Sequence, residues 1–317
     1  MEWIVIAIAG LCVLILCAIY GAYRYVFYSP KGDQNNDYQI IGPLTEAQRN
    51  TTVALIDAIN RRPYEHVSIR SRDGLRLAGR YYHAKDGAPL AILCHGYRGT
   101  PSRDFCGGAD ICFDAGYNVL LIEERAHCSS EGHTISFGVN ERFDVRDWVS
   151  YAVDRFGKDV QILLVGISMG AATVLLASEL DLPENVRGIL ADCPFTTAKE
   201  IIAQTGKKIR IPAAVSVPLA KAAARLFGGF RLDAADTTAA VRNAKVPILL
   251  IHGEADDLVP CAMGRAVAAA NPDRIELHTF PGAGHGLSYL VDPARYTKLV
   301  RDFCARIFQP PHDTLQG

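Results

Sequence analysis

The chain has 317 residues, 49% hydrophobic and 21% charged, with 33 Lys and Arg against 34 Asp and Glu for a formal net charge of −1. That length allows one large domain or two small ones, and the composition is that of an ordinary globular protein. A charge so near zero gives no reason to expect nucleic acid as a partner, and no repeat or low-complexity run is present.

The first segment departs from the rest. Residues 3–20 carry no charged side chain, and at a rise of about 1.5 Å per residue they span about 27 Å, close to a bilayer's hydrocarbon core. Trp3 at one end and Tyr20, Tyr23, Tyr25 and Tyr28 at the other fit the aromatic belts of a spanning helix. Glu2 alone precedes the apolar run where a cleaved signal peptide would carry a basic stretch. The only cleavage candidates, at Cys17-Ala18-Ile19 and Gly21-Ala22-Tyr23, are poor, so an uncleaved single-pass anchor is the expectation. Arg24, Lys31, Arg49, Arg61 and Arg62 follow the helix and favour a cytoplasmic main domain. Nine cysteines without paired or metal-ligand spacing agree with that, since they read as reduced thiols.

After the anchor (1–28), residues 29–42 read as a linker with Pro30, Gly32, Asp33, Asn35 and Asn36. An entry helix over 45–60 follows, with Val53, Leu55, Ile56 and Ile59 at helical spacing. The main domain is expected to begin near residue 64 and run to 317. Segments 66–70 and 75–82 flank Asp73-Gly74 and predict an antiparallel hairpin.

Apolar runs at 90–94, 118–122, 161–165, 186–191, 246–251 and 274–280 predict strands, and the mostly continuous ones suit parallel strands covered on both faces. Helical patterns at 104–115, 141–156, 171–180, 234–243, 261–270 and 293–308 alternate with them. Together they predict an α/β fold with a doubly wound, mostly parallel sheet. Residues 196–232 break the alternation and read as an inserted helical cap. The cap carries Lys199, Lys207, Lys208, Arg210, Lys221, Arg225 and Arg231, with Glu200 opposing them.

Four motifs carry chemistry. Gly166-Ile167-Ser168-Met169-Gly170 lies between a predicted strand and a predicted helix. A serine nucleophile needs such a sharp turn, with glycines where side chains would collide, and a helix start supplies amides for an oxyanion. His95-Gly96-Tyr97 ends another strand, where the Tyr97 amide can join that of Met169 as oxyanion donors; His95 itself reads as structural. The loop His252-Gly253-Glu254-Ala255-Asp256-Asp257 offers a carboxylate to orient an imidazole. Asp256 has the better register to Val259-Pro260, while Asp257 suits a helix N-cap and remains the competitor. His285, between Gly284 and Gly286 after the last strand, is the expected base.

The order Ser168, Asp256, His285 resembles that of α/β-hydrolases, over roughly residues 64–308. More narrowly the chain is similar to bacterial membrane-anchored serine hydrolases of the serine-aminopeptidase and esterase type. The run Glu123 to His133 is similar to that family's acid-x-Arg-Gly-x-Gly-x-Ser loop, with Ala126 and Cys128 in place of glycines and Glu123 in place of aspartate. Asp192-Cys193-Pro194-Phe195 resembles the family's strand end before the cap.

The resemblance implies a Ser-His-Asp triad cleaving a carboxylic ester through an acyl-enzyme, with a small acyl substrate as partner and no cofactor. Cys-x-x-Cys, His-Glu-x-x-His and a phosphate-binding glycine loop are all missing from the sequence, so no metal or nucleotide site is expected. Peptidase, amidase, thioesterase and acyltransferase activities use the same triad, and a non-catalytic binding protein on this scaffold is the remaining alternative.

Overall fold

The computed structural model describes residues 1–30, 37–39 and 44–308. Eight strands form one sheet: β1 (Glu65–Arg70), β2 (Arg76–Tyr82), β3 (Leu90–Cys94), β4 (Asn118–Ile122), β5 (Ile162–Ile167), β6 (Val186–Asp192), β7 (Ile248–Gly253) and β8 (Ile275–Phe280). Their order is β1-β2-β4-β3-β5-β6-β7-β8. The hairpin β1–β2 is antiparallel and β2 meets β4 antiparallel, while every later pairing is parallel.

The helices are α1 (Glu2–Val26), α2 (Glu46–Arg61), α3 (Pro101–Asp114), α4 (Glu141–Phe156), α5 (Met169–Ala177), α6 (Ala198–Lys208), α7 (Ala213–Ala223), α8 (Thr237–Val241), α9 (Cys261–Ala269), α10 (Ser288–Val291) and α11 (Pro293–Ile307). The central strands are buried on both faces because each face has its own helical layer. On β3, Leu90, Ile92 and Cys94 pack with Trp148 of α4 and Val174 of α5, whereas Ala91 and Leu93 pack with Phe105 of α3 and Phe303 of α11. This is the physical basis of the continuous apolar runs, since a strand alternates its side chains and here both directions are dry.

Several predicted bounds shift. The helix expected from 171 starts at Met169, and it is buried along its whole length, so no amphipathic period marks its ends. Strand β7 starts at Ile248, since Pro247 cannot donate to the ladder. The helix expected over 234–243 shrinks to Thr237–Val241, capped by Asp236. The short helix α10 was not foreseen. In the 196–232 segment lie α6, α7 and a π-helical turn, Ala224–Gly228.

The most apolar 18-residue window of α1 has a mean hydropathy of 2.8 and none of it is buried. By length and composition α1 can cross a membrane. Its end behaves differently: Ile19, Tyr23 and Phe27 are buried in one apolar cluster, Phe27 against Phe137 and Phe230 and Tyr23 against Phe227. Tyr23 therefore does not belong to an aromatic belt; its hydroxyl bonds Thr134 Oγ1 at 2.8 Å. Tyr28 pairs with Thr134 as an antiparallel bridge and stacks on His133. Of the expected linker, residues 31–36 and 40–42 lie outside the described residues, as does Lys31, while Ser29 is buried and its amide donates to His133 O.

Candidate active site

Strand β5 runs into a turn that its glycines make possible. A β-carbon at Gly170 would sit 1.8 Å from Cys94 O on β3, and one at Gly166 would sit 2.2 Å from Gly170 O. Neither position can hold a side chain without moving backbone. Between them Ser168 adopts φ 56° and ψ −116°, a sparsely populated conformation that a non-glycine residue takes at a cost of about 1–3 kcal/mol. The Ser168 amide donates to Asp192 O at 2.8 Å, which ties the turn to the end of β6.

The loop after β8 brings His285 to this serine. Its Nε2 lies 2.8 Å from Ser168 Oγ and its Nδ1 lies 2.7 Å from Asp256 Oδ2. With Nδ1–H donating to the carboxylate, Nε2 is free to accept the hydroxyl proton. Asp256 Oδ1 accepts from the amides of Leu258 and Val259 at 2.9 and 2.8 Å. Burial alone would raise the Asp256 carboxyl; contacts with His252 and His285 outweigh it and hold the group well below the usual carboxylate range. Asp257 points away, exposed and paired with Lys208 of α6 at 3.0 Å. The structure thus brings Asp256, and not Asp257, to the imidazole.

The turn after β3, where a second oxyanion donor was expected, lies against the serine: a β-carbon at Gly96 would sit 3.4 Å from Ser168 Cβ. Gly96 N donates to Asp104 Oδ2, Arg98 N to His127 Nε2 and Gly99 N to Gly96 O. None of these bonds uses the Tyr97 amide, and Met169 N opens the first turn of α5. His95 is fully buried, donating from Nδ1 to Gly96 O and accepting at Nε2 from Glu124 N. Burial pushes His95 down to about 4 and His127 down to about 3, so both are neutral acceptors near pH 7.

Sequence reasoning missed the role of His127. Its only trace there was its place in the loop after β4. Arg125 in the same loop is also structural, clamping Asp144 of α4 with two 2.6 Å bonds and Asp73 of the hairpin with bonds of 2.8 and 3.1 Å. Ala126 and Cys128 take φ 63° and 45°, so the loop keeps a glycine-like path without glycine.

A metal has little to hold it here. Cys193, Asp256 and His285 offer ligand atoms within 4.8 Å of one another. Burial, however, raises the Cys193 thiol well above its usual value, and Asp256 and His285 are bonded to each other.

The fold, with a serine on a strained strand–helix turn and a histidine on the last strand's loop, defines the α/β-hydrolase class. The model of the alpha/beta hydrolase family matches residues 91–299, and the chain belongs to that family. Among its relatives, the uncharacterized protein YqkD of Bacillus subtilis is 28% identical over 236 residues, 74% of this chain and 77% of that one. The thiohydrolase aneE of Aspergillus aculeatus is 29% identical over 138 residues, 43% of each chain. The Pyrococcus furiosus esterase Pf2001 superposes with a TM-score of 0.66 at 22% identity, covering 85% of this chain and 97% of that one. At that identity the likeness speaks for the fold.

Proposed function

We propose that the protein is a serine esterase, with Ser168 as nucleophile, His285 as general base and acid, and Asp256 orienting the imidazole. The observation that carries this reading is the unbroken relay from Ser168 Oγ through His285 to Asp256, at 2.8 and 2.7 Å. His285 takes the hydroxyl proton as Ser168 Oγ forms a bond to the substrate carbonyl carbon. The amides of Tyr97 and Met169 receive the developing oxyanion. As the intermediate collapses, the carbonyl–leaving-group bond breaks and the proton passes from His285 to the departing alkoxide. Water then adds to the acyl-enzyme with His285 again as base, releasing acid and free serine.

A carboxylic ester has a less demanding leaving group than an amide. Thioester cleavage is the second reading, favoured by the name of the fungal thiohydrolase. The test is fluorophosphonate labelling of the full chain, followed by turnover of acyl esters, acyl thioesters and aminoacyl anilides. Ser168→Ala is expected to abolish labelling and cut ester turnover by about 10³-fold or more. Wild-type turnover of anilides with none of esters would replace the esterase by a peptidase. Labelling that survives Ser168→Ala would end the serine reading altogether.

For location, we read α1 as a retained single-pass anchor. Its final turns complete a buried cluster of the folded domain, which a cleaved leader would not supply. Arg24 beside its end and nine free cysteines favour a cytoplasmic domain. The division into anchor (1–28), linker and entry helix (29–63) and hydrolase domain (64–317, with the cap at 196–232) is proposed from the order of the elements. Accessibility of an introduced cysteine at Asp154 to an impermeant maleimide, in intact and opened cells, tests the orientation. Labelling in intact cells would reverse it.

A further inference from the structure

A hydrolase joined to its anchor by a loose tether can face any direction, but this one is clamped to α1. Tyr97 Oη donates to Val26 O at 2.8 Å, and Arg98 Nη2 donates to Tyr25 O at 2.9 Å and Tyr28 O at 3.1 Å. Ile135 N donates to Phe27 O, and Phe27 is fully buried between Phe137 and Phe230. The residues gripping α1 include the proposed oxyanion residue Tyr97 and its neighbour.

Distance along the helix then places the site. From Tyr23, where the charge-free run ends before Arg24, to Val26 is three residues, about 4.5 Å at 1.5 Å each. The headgroup layer on each side of the hydrocarbon core is about 5–7 Å thick. A bilayer around α1 would hold Tyr97 at headgroup level. One buried apolar cluster holds Met169, next in sequence to the proposed nucleophile, together with Phe195, Ala220, Ala223 and Ile19 and Tyr23 of α1. At the membrane end of that cluster, Leu226 and Phe227 are 59% and 39% exposed, and the Phe227 ring lies 5.1 Å from that of Tyr20. Exposed Arg225 and Arg24 flank them, as suits the charge of anionic headgroups.

We propose that the substrate is an acyl ester lipid resident in the bilayer that holds α1. Its chain leaves the membrane along the seam between α1 and the 224–228 turn, and its ester carbonyl reaches Ser168. Leu226 and Phe227 dip into the interface at the membrane end of the seam, where an entering lipid chain parts the packed residues. The proposal rests on the serine-esterase and anchor readings and adds to them the source and class of substrate.

The test uses the full-length chain in vesicles of phosphatidylcholine and phosphatidylglycerol carrying a fluorogenic long-chain acylglycerol ester, with p-nitrophenyl acetate as the soluble reporter. Wild type is expected to cleave the lipid ester at least about 10-fold faster when it shares the vesicle than when the lipid is in separate vesicles. In the double variant Leu226→Glu/Phe227→Glu, the ratio of lipid to soluble turnover is expected to fall about 10-fold. Its soluble turnover reports that the fold is intact. An enzyme that turns over the soluble ester yet ignores the lipid, or a ratio unchanged in the variant, overturns the lipid proposal and leaves the serine reading standing. Soluble turnover that persists in Ser168→Ala overturns the serine reading and the lipid proposal with it. A second copy or a protein covering Leu226 and Phe227 would appear as a stable complex lost in the variant with the lipid ratio unchanged, which also refutes the lipid seam.

Discussion

The turns that follow β5 and β4 both hold non-glycine residues at positive φ and differ in what they tolerate. At the β5 turn, glycine is needed for space: β-carbons at 166 and 170 would fall 2.2 and 1.8 Å from backbone atoms. At the β4 turn, positive φ is needed at 126 and 128, yet Ala126 and Cys128 fill those positions. A torsional penalty of about 1–2 kcal/mol can be offset by the bonds around it. Arg125 supplies such bonds to Asp73 and Asp144, and His127 adds one to Arg98. Overlap with a neighbouring strand has no such remedy. A glycine in a motif can therefore mean a hard steric limit or a convenience, and only the surroundings distinguish the two.

The sharpest attempt to break that contrast is Gly170→Ala. Backbone must move to admit the methyl group, and a stability loss above about 4 kcal/mol is expected in urea unfolding. An unchanged midpoint would refute the steric limit. Next is Arg125→Ala, which leaves Asp144 buried without its cation; the expected loss is about 3–5 kcal/mol, partly restored by Arg125→Lys. A loss below about 1 kcal/mol would mean that the clamp does not support the β4 turn.

Acidification should weaken the same turn more gradually. His95 and His127 are held near 4 and 3 when folded, against about 6.5 when unfolded. Between those values the unfolded chain binds more protons, so stability is complete above pH 6.5 and falls as pH drops toward 4. Two such groups give a slope on the order of 2–3 kcal/mol per pH unit. His127→Gln, which can keep an acceptor for Arg98 N, should halve that slope; equal slopes in both proteins would show that His127 is not responsible. The smallest effect is expected from Ala126→Gly. Relief of strain less the entropy of glycine should raise stability by no more than about 1 kcal/mol. A clear loss would show that the alanine methyl contributes packing that outweighs its strain.

Much of the site could be read from the chain because each functional group sits at a strand end beside a glycine or proline signal. Gly166-Ile167-Ser168-Met169-Gly170 announces its turn, and Gly284-His285-Gly286 its loop. The choice between Asp256 and Asp257 was less legible. Adjacent residues share every local propensity, and it took the fold to bond Asp256 to His285 and pair Asp257 with Lys208. Helix α5 hid its start because a helix buried all round has no polar face to mark a boundary.

Local composition by itself determined the parallel sheet, the hairpin before it, the apolar first helix and the serine and histidine turns, because periodicity and glycine placement are properties of neighbouring residues. Only tertiary structure decided what long-range contact controls. It set the two neutral histidines beneath the Tyr97 turn, and it clamped Arg125 between Asp73 and Asp144. It also turned Tyr23 and Phe27 inward, so that the end of the apolar helix joined the buried cluster that holds Met169. Those contacts join residues as far apart as Phe27 and Phe230, and no local pattern records which distant partner a side chain will meet.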